Sequence, residues 1–332
     1  MACSKSIHNV TPYALLGILM STSLQAQCTL PNSWLSSSVE QLTKVAQGMM
    51  SGALVANLVH EGFSCTDQNG HARGYICTSP PGFFPGYPKR VSLVISKQLA
   101  SISHYHMHLH GWLLHGATYE STLKDFDFED RFPDSEKNNS IMIIPESENH
   151  SKTFTTYFSK PEALDAMMRK VNSLVGRSDT DITSISLSGH SGAQVPVSMI
   201  LRDSQQSQYG KKINTVLLFD ATYSDQSVFK PELQKKIPAT PGSYQYDSIA
   251  QFRKWILSGK DRTLVSTYVA SSTTEPESIQ LKNETGVPAT NRVDIFSYKP
   301  KPVPSGIDPS SYNHFQICYD QMTNLFKTYL AH

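Results

Sequence analysis

The stretch Ser184-Ile185-Ser186-Leu187-Ser188-Gly189-His190-Ser191-Gly192-Ala193 decides the predicted fold of this chain. Apolar and small polar residues alternate over 182–188, which predicts a β-strand, and residues 194–202 predict a helix directly after the turn. A serine between such a strand and helix lies on a tight turn that pushes its hydroxyl out of the backbone. Because the two backbones crowd there, positions 189 and 193 must be small, and glycine and alanine fulfil this.

The elements on either side repeat this alternation of strand and helix. Predicted strands cover 91–96, 104–109, 141–144, 182–188, 213–219, 264–270 and 293–298, and predicted helices cover 38–58, 160–175, 194–202, 247–259 and 315–329. Residues 159–162, Ser-Lys-Pro-Glu, predict a capping box for the second helix, and Gly176 predicts its end. The acidic segment 118–139 predicts a surface excursion. Together these elements predict an α/β fold, a mostly parallel sheet with helices on both faces.

The strand, turn and helix around Ser191 resemble the nucleophile elbow of the α/β-hydrolase superfamily, with Ala193 in place of the usual last glycine. The resemblance extends from about residue 91 to the C-terminus through the order of strands and motifs. It implies an α/β-hydrolase fold and a serine hydrolase that cleaves a carboxylic ester through an acyl-enzyme on Ser191. Two alternatives stay open, namely a secreted serine peptidase and a non-catalytic binding module that keeps the fold.

The resemblance also implies a base and an acid, because a serine needs both to become a nucleophile. In the superfamily the base follows the last strand, and His314 lies there, before the closing helix. The acid has two candidate places. Asp220 ends the predicted strand 213–219, and Glu275 and Glu277 follow the next strand. Asp220 is favoured because the end of its strand fixes its direction.

A tetrahedral intermediate needs two N–H groups aimed at its oxyanion. The amide of Gly192, directly after the serine, is the first candidate donor. The sequence His110-Gly111-Trp112 is similar to the His-Gly oxyanion segment of esterases and lipases in this superfamily, so the amide of Trp112 is the second. The alternative for Trp112 is a side chain that only packs in the core.

Histidines alternate along the predicted strand 104–109 and beyond it, at His104, His106, His108 and His110, with His115 shortly after. Alternate residues of a strand share a face, so the histidines form either a metal site or a hydrogen-bonded row in which one histidine orients the active-site loop. A catalytic metal usually adds a carboxylate or a distant histidine, which favours the second interpretation. No metal and no cofactor is predicted.

The N-terminus predicts export. Lys5, an apolar run over 13–20 and Ala26 are typical of a secretory signal peptide in 1–26, although a buried helix start is the alternative. The hydrolase domain is then 27–332, with a possible cap insertion over 220–260. In an oxidising compartment the four cysteines after the signal predict two disulfides. Cys65 and Cys77 flank a predicted hairpin turn and pair, which leaves Cys28 with Cys318.

The composition of the 332 residues limits the partners. A net charge of +1 argues against a nucleic-acid surface, and no window beyond the N-terminus approaches the roughly 18 apolar residues of a spanning helix. A hydrophobic content of 39% fits a globular domain with a core. The expected partner is a small-molecule ester or acyl substrate, and the expected location is secreted or periplasmic.

Overall fold

The computed structural model describes residues 32–67, 70, 72–111, 118–135, 139–148, 151–222, 248–284, 286–306 and 308–330. The chain divides into two units, residues 1–44 and 45–332, and each is considered by itself. The described part of the first unit, residues 32–44, is helical. The first helix begins in the first unit, and all other described helices and strands belong to the second.

Helices and strands alternate along most of the described chain. The strands are β1 (Ser64–Thr66), β2 (Gly74–Thr78), β3 (Val91–Ser96), β4 (His104–Leu109), β5 (Ser140–Pro145), β6 (Ser184–His190), β7 (Ile213–Phe219), β8 (Thr263–Val269) and β9 (Arg292–Tyr298). The helices are α1 (Asn32–His60), α2 (Tyr119–Asp125), α3 (Phe128–Ser135), α4 (Lys152–Phe158), α5 (Ala163–Val175), α6 (Gln194–Asp203), α7 (Ser248–Leu257), α8 (Glu275–Lys282) and α9 (Pro309–Tyr329).

The strands form one sheet in the order β1-β2-β3-β5-β4-β6-β7-β8-β9. The pairs from β1 through β3 to β5 are antiparallel. All pairs from β5 through β4 and β6 to β9 are parallel. The predicted mostly parallel sheet is therefore confirmed, and its carboxyl edge collects the ends of β4, β6, β7 and β8.

Two apolar cores lie on the two faces of the sheet. One contains side chains such as Phe154 of α4, Val197 of α6 and Phe252 of α7. The other contains Phe132 of α3 and Phe326 of α9. This arrangement of helix, sheet and helix buries the apolar side of each element, as the alternating pattern predicted.

The predicted surface excursion over 118–139 is wrong. Residues 119–135 form α2 and α3, and α3 buries Phe128 and Phe132 completely. Acidic residues outnumber apolar ones in this segment, so its mean polarity hid a short apolar face that covers the sheet.

The predicted capping box at residues 159–162 is also wrong. Ser159 ends α4, with its hydroxyl donating to the carbonyl of Thr156 at 2.9 Å. Helix α5 begins only at Ala163, and Glu162 makes no side-chain capping bond. The sequence prediction lacked α4, so it assigned the serine to the wrong helix. The predicted end at Gly176 is confirmed by its left-handed φ of 64°.

A disulfide joins Cys65 to Cys77, which are paired directly across β1 and β2. The second predicted disulfide involves Cys28, which lies outside the described residues; Cys318 is buried in α9 and is bonded to no described cysteine. The predicted signal peptide over 1–26 and residues 223–247 of the predicted cap also lie outside the described ranges. Within those ranges no helix has the length and apolarity needed to cross a membrane.

Candidate active site

Ser191 lies on a sharp turn between β6 and α6. His190 ends the strand in an extended conformation, with φ −112° and ψ 137°, and Ser191 then adopts a left-handed φ of 54°. A non-glycine residue in this region is strained by about 1–3 kcal/mol, and such strain is concentrated at active sites. Ser191 is 8% exposed. The strand, the strained turn and the helix therefore occur in the predicted order around Ser191.

The crowding predicted around the serine is present between Gly189 and Ala193. A Cβ atom on Gly189 would lie 3.3 Å from the Cβ of Ala193 and 3.0 Å from Cγ2 of Val197. The tight contact is thus at Gly189, whereas the methyl group of Ala193 fits as long as position 189 is a glycine. This explains why the elbow accepts alanine as its last residue.

The end of β4 is packed directly against the elbow. A Cβ atom on Gly111 would lie 2.5 Å from the Cβ of Ser191 and 2.6 Å from the carbonyl oxygen of His190. Since one of these atoms belongs to the backbone, only glycine fits here. The predicted oxyanion segment therefore begins beside Ser191. Its expected donor, Trp112, lies outside the described residues.

His314 and Asp220 form a close pair. Nδ1 of His314 is 2.5 Å from Oδ2 of Asp220, and their side chains are 17% and 4% exposed. His314 was predicted to precede the closing helix, but it lies inside α9. Asp220 follows β7 with a left-handed φ of 45°, so the strand end aims its carboxylate.

The other oxygen of Asp220 is held by two donors. Oδ1 accepts from the backbone N–H of Val269 at 3.2 Å and from the hydroxyl of Thr274. The backbone N–H of Asp220 donates to the carbonyl of Thr267 at 2.7 Å. These contacts leave Oδ2 directed at His314.

The two alternative candidates for the acid, Glu275 and Glu277, lie in a helix and not at a strand end. Glu275 and Glu277 lie in the first turn of α8, where Glu275 accepts from the backbone N–H of Ser271 at 2.8 Å. A carboxylate in a first helical turn is favoured by the helix dipole, which accounts for these two residues without a catalytic role.

His190 connects the elbow to His314. Its Nε2 is 3.0 Å from the carbonyl oxygen of His314, and the two ring centroids are 4.6 Å apart. Burial, together with the nearby His314 ring, lowers the pKa of His190 well below its usual value. The residue before the serine therefore contacts the predicted base. The motif contained His190, but no sequence signal indicated this contact.

His110 fixes the segment beside the elbow. Its Nε2 accepts from the backbone N–H of Ser147 at 3.0 Å, so Nδ1 carries the proton and donates to the carbonyl of Gly111 at 2.9 Å. Burial lowers the pKa of His110 to about 4. The hydroxyl of Ser151 lies 3.5 Å from the carbonyl of His110. This contact fits the expectation that one histidine orients the loop, while Ser147 and Ser151 carried no motif that could reveal them.

The remaining histidines of β4 form what we call the His–Ser ladder with three serines of β6. His104 contacts Ser184 and Ser186 at 2.6 and 2.9 Å, His106 contacts Ser186 and Ser188 at 2.6 and 2.8 Å, and His108 contacts Ser188 at 2.7 Å. Burial lowers the pKa of His106 well below the usual value and that of His108 to about 3. The row is thus hydrogen-bonded across the sheet, and in the described ranges no three His, Cys, Asp or Glu side chains stand together as metal ligands.

Neither protein-family models nor curated protein sequences match this chain. Solved structures match its fold. An S-formylglutathione hydrolase from Agrobacterium tumefaciens is similar with a TM-score of 0.52 and 10% identity, over 80% of this chain and 98% of that one. An S-formylglutathione hydrolase from Staphylococcus aureus is similar with a TM-score of 0.48 and 13% identity, over 77% of this chain and 97% of that one. An esterase from Pyrobaculum calidifontis is similar with a TM-score of 0.45 and 10% identity, over 86% of this chain and 92% of that one. The predicted α/β-hydrolase fold is confirmed.

Proposed function

We propose that this chain, which has the α/β-hydrolase fold, is a secreted or periplasmic serine hydrolase that cleaves a carboxylic ester through an acyl-enzyme on Ser191. The observation that carries the proposal is the 2.5 Å contact between His314 and Asp220, held beside the strained turn of Ser191 through His190. A buried carboxylate, an imidazole and a hydroxyl on a strained turn together supply nucleophilic catalysis.

In the first step Oγ of Ser191 attacks the carbonyl carbon of the ester. His314 takes the hydroxyl proton on Nε2, because its Nδ1–H already donates to Asp220. Asp220 stays ionised, orients the imidazole and stabilises the imidazolium that forms. The three roles need no group beyond these side chains.

The tetrahedral intermediate carries its negative charge on the former carbonyl oxygen. We assign the amide N–H of Gly192 as one donor and that of Trp112 as the other. The fit of Gly111 against Ser191 supports a donor from this segment, since the segment begins in contact with the nucleophile. Each donor of this kind contributes about 3–4 kcal/mol to transition-state stabilisation.

The intermediate collapses when His314 returns the proton to the leaving alkoxide, which departs as the alcohol. Water then attacks the acyl-enzyme, with His314 again as the base, and the acid and free Ser191 are released. All protons in this cycle pass through one imidazole, so the reaction needs no cofactor.

An ester is proposed as substrate by analogy with the fold. The A. tumefaciens neighbour is by name a hydrolase of S-formylglutathione, a thioester, which is consistent with an acyl substrate. Residues 220–260, between β7 and β8, are proposed as a partial cap. Export is proposed from the signal-like N-terminus, and the Cys65–Cys77 disulfide supports an oxidising compartment.

A fluorophosphonate probe tests the proposal directly. The purified protein should be labelled once, and Ser191→Ala should abolish labelling; a binding module or a metal hydrolase would show no labelling in either protein. A panel of p-nitrophenyl esters of increasing acyl length, set against peptide amides, then separates an esterase from a peptidase. Activity that a chelator removes would contradict the serine mechanism.

A further inference from the structure

We propose that His190 is a positioning residue for His314, which it holds by a hydrogen bond from Nε2–H to the backbone carbonyl of His314. This inference rests on the proposed function, because it assigns His314 the role of base. It adds His190 to the proposed site, as a residue that is neither the nucleophile, the base or the acid nor an oxyanion donor.

The first support is a break in the pattern of β6. Ser184, Ser186, Ser188 and His190 occupy the same face of the strand, and the serines contact the histidines of β4. At the position nearest the active site the serine is replaced by a longer side chain. That side chain reaches across to α9 and not to β4. The change occurs where the neighbouring group is His314.

The second support is the way in which His314 is anchored. Asp220 holds its ring at Nδ1, and His190 holds its backbone at the carbonyl oxygen. The backbone of His314 belongs to α9, and the bond from His190 fixes this part of the helix relative to the end of β6, so that the imidazole keeps its place relative to the turn of Ser191. Since a displacement of about 1 Å can cost roughly 100-fold in rate, the second anchor matters for turnover.

The third support is the protonation state that the contacts require. A carbonyl oxygen only accepts, so Nε2 of His190 must carry the proton. His190 is 1% exposed and is surrounded by Phe126, Phe315 and the His314 ring. An uncharged imidazole with Nε2–H satisfies both the carbonyl and this apolar site.

The test compares two variants that both lose the ring. His190→Gln keeps an N–H donor near the position of Nε2, and His190→Leu has none. We expect kcat for a p-nitrophenyl ester to fall about 10- to 100-fold in His190→Leu with KM within about twofold, and to stay within about threefold of wild type in His190→Gln. The matched control is His108→Leu, a buried histidine of the same sheet, which should lose stability but keep kcat.

NMR provides a readout that does not depend on turnover. In the wild-type protein the nitrogen shifts of His190 should identify the Nε2–H tautomer, and the proton between His314 and Asp220 should give a far-downfield resonance. That resonance should broaden or vanish in His190→Leu and persist in His190→Gln and His108→Leu.

Several results would overturn the inference. The inference is wrong if wild-type His190 carries its proton on Nδ1 and not on Nε2. It is also wrong if kcat falls equally in His190→Leu and His190→Gln, or if the His314–Asp220 resonance is unchanged in His190→Leu. Absence of fluorophosphonate labelling in wild type would instead reject the proposed function, while the NMR result would still decide whether His190 holds His314.

Discussion

Histidine and serine meet in two regions of this sheet, with opposite consequences. In the His–Ser ladder the hydroxyls of Ser186 and Ser188 each lie between two imidazoles at 2.6–2.9 Å, and the hydroxyl of Ser184 contacts His104 at the end of the row. At the end of β6 His190 is followed by Ser191, whose backbone is left-handed, and nearby the carboxylate of Asp220 contacts the imidazole of His314.

The difference lies in backbone and charge and not in residue type. Ser186 and Ser188 of the ladder are buried in extended backbone, and both hydroxyls contact histidines of β4. Ser191 is lifted from the strand by its φ of 54°, and His314 is paired with Asp220. A hydroxyl beside an imidazole is therefore not enough for a nucleophile, which also needs a position on a turn outside the regular strand and a base whose cationic form is stabilised.

The largest expected effect separates the two kinds of serine. Ser191→Ala should lower kcat by about 10⁶-fold without loss of stability. Ser188→Ala should keep kcat but reduce the free energy of unfolding by about 1–3 kcal/mol, because His106 and His108 each lose a partner in the interior. Ester hydrolysis and urea unfolding measure the two effects. Large activity losses in both variants would remove the distinction.

The next effect separates the two kinds of carboxylate. Asp220→Asn should lower kcat by about 10⁴-fold, because an amide cannot stabilise the His314 imidazolium and favours the wrong tautomer. Glu275→Gln should change kcat by less than about threefold, since this side chain accepts from the backbone N–H of Ser271 in the first turn of α8. Steady-state ester kinetics of both proteins provide the comparison. The reverse order would make Glu275 the acid.

A smaller loss is expected where β4 meets the elbow. In Gly111→Ala the added methyl would collide with the Cβ of Ser191 and the carbonyl of His190, so one of the two segments must move. A shift of about 1 Å lowers kcat by about 10²-fold. Gly52→Ala is the matched control, since no atom lies within 4 Å of its added methyl. Wild-type kinetics in Gly111→Ala would show that the two segments do not need this contact.

The buried histidines make the stability of the protein depend on pH. Burial lowers the pKa of His108 to about 3 and that of His110 to about 4, whereas in the unfolded chain both titrate near 6.5. Between these limits the unfolded state binds more protons, so the free energy of unfolding should fall as the pH falls below about 6.5. The slope is about 1.4 kcal/mol per pH unit for each histidine.

Urea unfolding between about pH 7 and about pH 4.5 measures this slope. His108→Leu should reduce it by the share of one histidine, and Ser191→Ala should leave it unchanged. A free energy of unfolding that stays constant over this range would show that these histidines bind protons equally in the folded and the unfolded protein.

The sequence predicted the parts of the fold that follow from local patterns. Continuous or alternating apolar runs located β3, β4 and β7 at their observed bounds. The order of motifs in the chain also predicted that Asp220 and His314 meet, because the predicted strand 213–219 ends at Asp220 and His314 follows the last predicted strand.

The remaining features depend on distant contacts. Helices α2 and α3 were missed because a few buried aromatic residues sit among many charges. Helix α4 was missed as well. The contact of Ser147 with His110 was missed because a backbone N–H has no sequence signature. The pairing of the ladder depends on β4 lying beside β6 in register, and no single-strand pattern specifies which strands are neighbours.

The His–Ser ladder also obeys a rule familiar from ice. When each hydroxyl and each neutral imidazole gives one bond and receives one within the row, every bond in the row points the same way. Of the two possible directions, one would leave an N–H at Nε2 of His108, which has no protein partner among the described residues. The other leaves only a lone pair there, which is the cheaper end. The hydrogen bonds of the row then all point from His108 toward Ser184, so their dipoles add up along the strands.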